Sequence, residues 1–137
     1  MTEKPVAIVT GGGTGIGAAC TRALAAEGFC VGINYIPIVE KESKTVLDEI
    51  EDGFLVEADL TDPDQAERMV NQIKDVAGRV DVLVNVAGIS INADINSMRM
   101  EEFDRQRAIM RGTWYLTKRI LPQFMLRKNA GRIINIS

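Results

Sequence analysis

The feature that most constrains this chain is Thr10-Gly11-Gly12-Gly13-Thr14-Gly15-Ile16-Gly17, a glycine-rich run set directly after the wholly apolar stretch Val6-Ala-Ile-Val9. Four consecutive apolar residues bounded by glycine read as a short strand buried on both faces, the pattern of a parallel sheet. Residues 16–28 then carry Ile16, Cys20, Ala23 and Leu24 at helical spacing, and Gly28 stands where a helix C-terminus is capped. Strand, glycine turn and helix in that order make an anion site. Residues without a Cβ let the backbone turn tightly and approach a pyrophosphate, while the helix N-terminus offers unpaired N–H groups. Thr14 adds a hydroxyl donor. A purely structural turn is the alternative, which the strand–turn–helix context disfavours. No Gly-Lys-Ser/Thr follows, so the run is not a nucleoside-triphosphate P-loop.

The same alternation continues along the chain. Cys30-Val-Gly-Ile-Asn34 reads as a second strand, followed by a helix over 40–50 with Val46, Leu47 and Ile50 on one face. Phe54–Ala58 is a third strand. Asp62-Pro63-Asp64-Gln65 then supplies a helix cap, a first-turn proline and an N3 glutamine. That helix runs to Ala77 with Ala66, Met69, Val70, Ile73, Val76 and Ala77 as its stripe, and Gly78 closes it. Asp81–Asn85 is a fourth strand. A long helical region over 101–128 is expected to pack through Phe103, Trp114, Ile120, Leu121, Phe124 and Met125. Pro122 either kinks it or starts a separate turn. Arg132–Ile136 is a fifth strand. Strands alternating with helices predict right-handed crossovers and a parallel sheet in an α/β domain, and 137 residues suffice for one domain rather than two.

Composition narrows the function classes. The chain is 46% apolar and 26% charged, ordinary for a soluble globular domain. A net charge of −3 gives no general attraction for nucleic acid. There is no histidine, which excludes a histidine acid–base relay or a histidine-ligated zinc within these residues. Cys20 and Cys30 lack any ligand spacing and are expected as buried free thiols of a reducing compartment. The start is short and polar, and the longest apolar runs are too short to cross a bilayer, so a cytoplasmic location is expected.

Two further segments fall at strand ends. Asp59 follows the third strand, where its carboxylate either accepts a hydrogen bond from adenine or satisfies loop N–H groups. Asn85-Val86-Ala87-Gly88 ends the fourth, where small residues let a ribose or nicotinamide lie close to the backbone. Asn85 also suits a second role, tying its strand to the neighbours.

Taken together, these motifs resemble the N-terminal half of a short-chain dehydrogenase/reductase. The family's TGxxxGxG turn matches Thr10, Gly11, Gly15 and Gly17, with Gly13, Thr14 and Ile16 inside it. Its cofactor-contacting Asp matches Asp59, with Leu60 beside it. Its NNAG motif matches Asn85, Val86, Ala87 and Gly88, departing at Val86, and GRIINIS resembles its fifth strand. The resemblance implies a Rossmann-like three-layer fold with a mostly parallel sheet, present here as one partial domain over 1–137 with five strands, the C-terminal elements missing. It implies NAD or NADP as cofactor. In such proteins an acidic residue after the second strand holds the ribose diol of NAD and a basic one the phosphate of NADP. Here Tyr35 and Ile36 stand there and are neither, Lys41 is the nearest cation, and Thr14 replaces a basic residue seen in some NADP-preferring relatives.

The resemblance also implies hydride transfer between nicotinamide and a carbonyl or alcohol, with a Tyr-x-x-x-Lys pair, a Ser and a relay Asn. The match ends at Ser137, one residue before the catalytic serine position, and the Tyr-x-x-x-Lys pair does not occur within these residues. Tyr35 and Tyr115 are not substitutes, since Arg119 stands four residues after Tyr115. The interval from Asp104 to Gly112 is one residue shorter than the family's, which puts Ile109 or Met110 in the relay slot and predicts a disturbed helix. No catalytic residue is therefore assigned. The chain is expected to bind cofactor without turnover, the carbonyl or alcohol substrate belonging to a complete protein. The alternative is a natural truncated nucleotide-binding or interaction module without activity. The 101–128 region resembles the family's oligomerisation helix, which implies a homo-oligomer. With strand five an edge of the sheet, the isolated chain is expected to be marginally stable or to self-associate.

Overall fold

The computed structural model describes residues 3–89 and 91–137. Strands β1 (Val6–Val9), β2 (Cys30–Tyr35), β3 (Gly53–Glu57), β4 (Val82–Asn85) and β5 (Arg132–Asn135) alternate with helices α1 (Gly15–Ala26), α2 (Glu40–Glu49), α3 (Pro63–Val76) and α4 (Met100–Ile120). The strands form one sheet in the order β3-β2-β1-β4-β5, and every pairing is parallel. Ile8 at its centre lies beside Gly32 on one side and Leu83 on the other.

Period-two alternation divides the core into two layers. Val6, Ile8 and Leu83 pack with Met69 and Ile73 of α3 and with Leu116 and Ile120 of α4. Ala7, Val9, Val31, Ile33 and Val84 pack on the other side with Ala18 of α1 and Val46 of α2. Because both faces are covered, the central strands are apolar at nearly every position. This is the Rossmann-like three-layer α/β arrangement.

Helix faces depart from the expected stripes where backbone contact overrides hydrophobicity. In α1 the buried residues are Gly17, Ala18 and Thr21, whereas Ile16 is 61% exposed, Ala23 is exposed and Cys20 and Leu24 are half-buried. The helix lies so close to the glycine turn that a Cβ on Gly17 would run into the Gly11 carbonyl, and the Thr21 hydroxyl donates to the Gly12 carbonyl at 2.9 Å. Only small residues fit that face. In α3, Val76 is 46% exposed because the helix ends there and the chain turns away at Gly78, whose φ is +73°.

Asp62 caps α3 through the Asp64 amide at 2.9 Å, with Pro63 in the first turn. Gln65 does not close a capping box. Its Oε1 instead accepts the Asp59 amide at 2.9 Å and its Nε2 donates to Asp62 Oδ2 at 3.3 Å, which pins the loop after β3.

The long helical region is three pieces. α4 runs unbroken to Ile120, a wide π-type turn over Leu121–Met125 contains Pro122, and a short 3-10 turn over Leu126–Lys128 follows. The expected disturbance from the short Asp104–Gly112 interval is absent from α4. Its core face is Ile109, Gly112, Leu116 and Ile120, continued by Phe124 and Met125. Phe103 and Trp114, expected as packing residues, are 48% and 61% exposed, because the helical period carries them away from this face. Gly112 sets the approach of α4: a Cβ there would overlap the Leu60 carbonyl. Element bounds differ by a residue in places: β3 starts at Gly53, β4 at Val82, β5 ends at Asn135, and Tyr35 is the last residue of β2 rather than the one after it. Both cysteines are free, Cys30 buried and Cys20 half-buried. Burial, with Asp52 nearby, pushes the Cys30 thiol up to about 11. Among the described residues no helix is long and apolar enough to cross a membrane.

Candidate functional site

From β1 the sheet grows one way through β2 and β3 and the other way through β4 and β5. The crevice outside the carboxyl ends of β1 and β4 is where ligands bind in open parallel sheets. A cavity of about 380 Å³ opens there, within the usual size of a small-molecule site.

Two buried polar side chains at strand ends build its floor. Thr10 Oγ1 accepts the amides of Val86 at 2.9 Å and Ala87 at 3.0 Å. Asn34 Oδ1 accepts the Gly11 amide at 3.2 Å, while its Nδ2 donates to the carbonyls of Val56 at 3.3 Å and Ala58 at 3.1 Å. Together they lock the ends of β1, β2, β3 and β4 to one another. Gly11, with φ of +61°, packs so near β4 that a Cβ would stand 3.3 Å from the Ala87 Cα.

Above this floor α1 begins with its amides uncapped. Thr14 is the N-cap residue in extended conformation, no side chain caps the helix, and its first turn holds no acidic residue. The first helical bond is from the Ala18 amide to the Thr14 carbonyl, 3.0 Å. An uncapped N-terminus with open space beside it suits an anion. Gly15, with φ of +50°, supplies that space, since nothing stands within 4 Å of where its Cβ would be.

Thr14, Gly15, Ile16 and Gly17 line the cavity from α1, and Tyr35 from the end of β2. Asp59 and Leu60 line it after β3, and Ala87 and Gly88 after β4. Asp59 Oδ1 accepts the Thr61 amide at 3.0 Å and the Thr61 hydroxyl at 2.7 Å, so it holds its loop as well as bordering the cavity. Gly13 and Asn85, both singled out in the sequence, do not line it. Gly13 packs on α2, where a Cβ would overlap the Ser43 side chain. Asn85 is buried and ties β4 to β5 and to α4: its Nδ2 donates to Asn135 Oδ1 at 2.9 Å and to Thr117 Oγ1 at 3.3 Å. Ile36, named with Tyr35 at the position that distinguishes NAD from NADP, lines the cavity, and Asn34, Ile89, Arg105 and Ile109 line it without a cofactor motif to mark them. The available signal was a polar Asn34 inside an apolar strand. Arg105 and Ile109 carried no such signal, because they reach the site only through the packing of α4.

Neither tyrosine is an activated base. Burial, with Glu40 and Glu57 nearby, raises the Tyr35 phenol above its ordinary value. The Tyr115 hydroxyl donates to Glu67 at 2.9 Å, which also raises it, while Arg119 pairs with both oxygens of Glu67 at 2.9 and 2.8 Å. Ile109 is buried and presents a hydrocarbon at the relay slot, and Met110 is exposed.

A family model for short chain dehydrogenases matches residues 5–137. A 3-oxoacyl-(acyl-carrier-protein) reductase of Staphylococcus aureus is 37% identical over 144 residues, covering 100% of this chain and 56% of its own length. The solved structure of a blue fluorescent protein from a metagenomic library, in complex with NADPH, is 32% identical with a TM-score of 0.88, covering 97% of this chain and 55% of that one. A short chain dehydrogenase from Burkholderia cenocepacia in complex with NADP is 27% identical with a TM-score of 0.87, covering 96% and 54%. The chain thus spans about half the length of the relatives it matches. Matched by the family model from before its first strand to its last residue, the chain belongs to the short-chain dehydrogenase family.

Proposed function

We propose that this chain binds NAD or NADP in the β1–β4 crevice and forms the cofactor-binding half of an NAD(P)-dependent oxidoreductase. The observation that carries the reading is the uncapped N-terminus of α1 beside the glycine turn, bordering a cavity at the switch point of the sheet. The α1 amides and the Thr14 hydroxyl suit the diphosphate, and Gly11, Gly15 and Gly17 allow the close approach. Asp59 and Leu60 border the adenine side, Tyr35 and Ile36 the ribose side, and Ala87 and Gly88 leave room beside the backbone. Bound there, the nicotinamide would supply or accept a hydride for a small carbonyl or alcohol substrate of the complete protein. NADPH and NADP in two similar structures support the phosphorylated cofactor, while uncharged Tyr35 and Ile36 leave NAD admissible.

The residues of the crevice orient and bind; among the described residues none is arranged to move the proton that carbonyl reduction requires. Both phenols are held protonated, and Ile109 offers no amide for a relay. Binding without turnover is the expected behaviour of the 137-residue chain. Titration with NADH and NADPH, followed by a panel of carbonyls and alcohols, tests it. Absence of cofactor binding by the folded chain would overturn it in favour of an interaction module, and turnover would overturn the absence of a base.

Association with a second copy belongs to the same reading. Met100, Phe103, Met110 and Trp114 recur on one outer side of α4, all exposed. Arg107 covers the Phe103 ring at 5.7 Å and Lys118 the Trp114 ring at 5.1 Å. An apolar stripe of this kind suits a homo-oligomer contact.

A further inference from the structure

Among the described residues the cavity has one cation that nothing neutralises. Arg105 lines it from α4, yet makes no hydrogen bond, ion pair or ring contact among the described residues. Its neighbours on the helix are engaged elsewhere: Glu102 pairs with Arg99 at 3.1 Å, Arg107 lies over Phe103, and Arg111 donates to the Thr61 carbonyl at 3.2 Å. Ile109, one turn on and so on the same side of the helix, is buried and lines the same cavity. Arg105 is exposed and borders the cavity at its solvent side, above the buried Ile109.

The two ends of the cavity come from opposite layers of the fold. α1 packs with the layer of Ala7, Val9 and Val84, whereas α4 packs with the layer of Ile8 and Leu83. A ligand lying across the strand ends is therefore reached by the α1 amides from one layer and by the Arg105 guanidinium from the other. Among the described residues the other charged side chain lining the cavity, Asp59, already accepts two hydrogen bonds from Thr61. A planar guanidinium without a partner among the described residues, bordering the same cavity as an uncapped helix N-terminus, is suited to a phosphate, which it can bind through two N–H groups at once.

We infer that Arg105 is a cofactor-positioning residue that holds a phosphate of the dinucleotide from the α4 side, opposite the α1 N-terminus. The inference rests on the dinucleotide reading of the crevice and adds a residue to it that no glycine motif specifies. It assigns Arg105 to the diphosphate that NAD and NADP share, so it favours neither cofactor. It also predicts an affinity that weakens with ionic strength more steeply in the wild-type chain than in a variant lacking this charge.

The test is calorimetric titration of the full chain with NADH, with ADP-ribose and with adenosine, for the wild type, R105A, R105K and R107A. R105A is expected to weaken NADH and ADP-ribose by roughly tenfold and to leave adenosine unchanged. R105K keeps a point charge without the fork and falls between wild type and R105A. R107A, whose side chain covers Phe103, matches the wild type, and equal thermal midpoints for all four show that the fold is intact. Unchanged ADP-ribose affinity in R105A overturns the inference. An equal loss for adenosine also overturns it, since the guanidinium would then be stacking on the base. A wild-type chain that binds adenosine but neither phosphate-bearing ligand, or none of the three, overturns the dinucleotide reading itself.

Discussion

The Thr10 hydroxyl accepts the amide of Ala87 at 3.0 Å, a bond between residues 77 apart in sequence. The same oxygen accepts the Val86 amide at 2.9 Å, and Thr10 is fully buried. One side chain directly after β1 therefore fixes the segment after β4 that forms the opposite wall of the crevice. Replacing it with valine keeps the shape and leaves both amides without their acceptor. T10V is expected to lose about 2 kcal/mol of stability and to weaken cofactor binding, while T10S loses far less. Urea unfolding of the three proteins checks this, and a T10V midpoint equal to wild type would count against it.

Two glycines of the same turn make opposite demands. A Cβ on Gly17 would meet the Gly11 carbonyl, backbone against backbone, so neither partner has a flexible end to move aside. Gly15 has open space around it and only its φ of +50° to strain a larger residue. G15A is expected to cost about 1 kcal/mol, and G17A distinctly more, with displacement of α1. Thermal unfolding ranks them; equal costs would refute the close-contact account.

Acid stability centres on Asp81. It accepts the Val6 amide at 2.8 Å, Arg79 Nε and Nη2 at 2.8 Å each and Lys128 at 3.2 Å, so it joins the starts of β1 and β4 to the turn before β5. Burial opposes its charge, yet the hydrogen bonds from Arg79, Val6 and Lys128 win and hold the carboxyl down to about 2. A carboxyl depressed in the folded state stabilises above its unfolded value and loses that contribution as pH falls through the folded one. Wild-type stability should therefore drop by about 2 kcal/mol between pH ~4 and pH ~2 through this group. D81N should be less stable at neutral pH and flatter across that window. Urea midpoints measured from pH 7 down to 2 test both halves.

The outer face of α4 carries a prediction about association. If Met100, Phe103, Met110 and Trp114 form a contact between copies, a charge at its centre should disrupt it. W114E is expected to shift the chain toward monomer in light scattering at several concentrations while leaving NADH affinity unchanged, because Trp114 does not line the cavity. A wild-type chain that is already a monodisperse monomer would remove the proposal.

Much of the architecture was legible along the chain because its signals are local. The apolar run Val6–Val9, the glycine turn and the helix opening at Gly15 are short-range facts of residue size and periodicity. So are the Asp62–Pro63 cap and the glycine after α3. Asp59, Ala87 and Gly88 could be named because ligands in a parallel sheet gather at strand ends. Ile120, Phe124 and Met125 are buried as expected, whereas Ile16 of α1 and Phe103 and Trp114 of α4 are exposed for one reason. Which face of a helix is buried depends on what it approaches, and both helices approach backbone carbonyls, of Gly11 and of Leu60, that tolerate no side chain.

The glycine turn determined, by sequence alone, that an anion could be received at a helix N-terminus. Only the tertiary structure decided what surrounds that point. Asn85, for which the sequence admits both a cofactor contact and a tie to its neighbours, bonds to Asn135 and Thr117, while Asn34, which carries no motif, holds the turn to β3. Strand alternation says which residues share a face, but sheet order sets which strand ends become neighbours. That order brought Thr10 against Ala87, and helix packing swung Arg105 into a cavity whose glycine turn lies some ninety residues earlier in the chain. Contacts between segments so distant leave no periodic trace in either, which is why they had to be read from the fold.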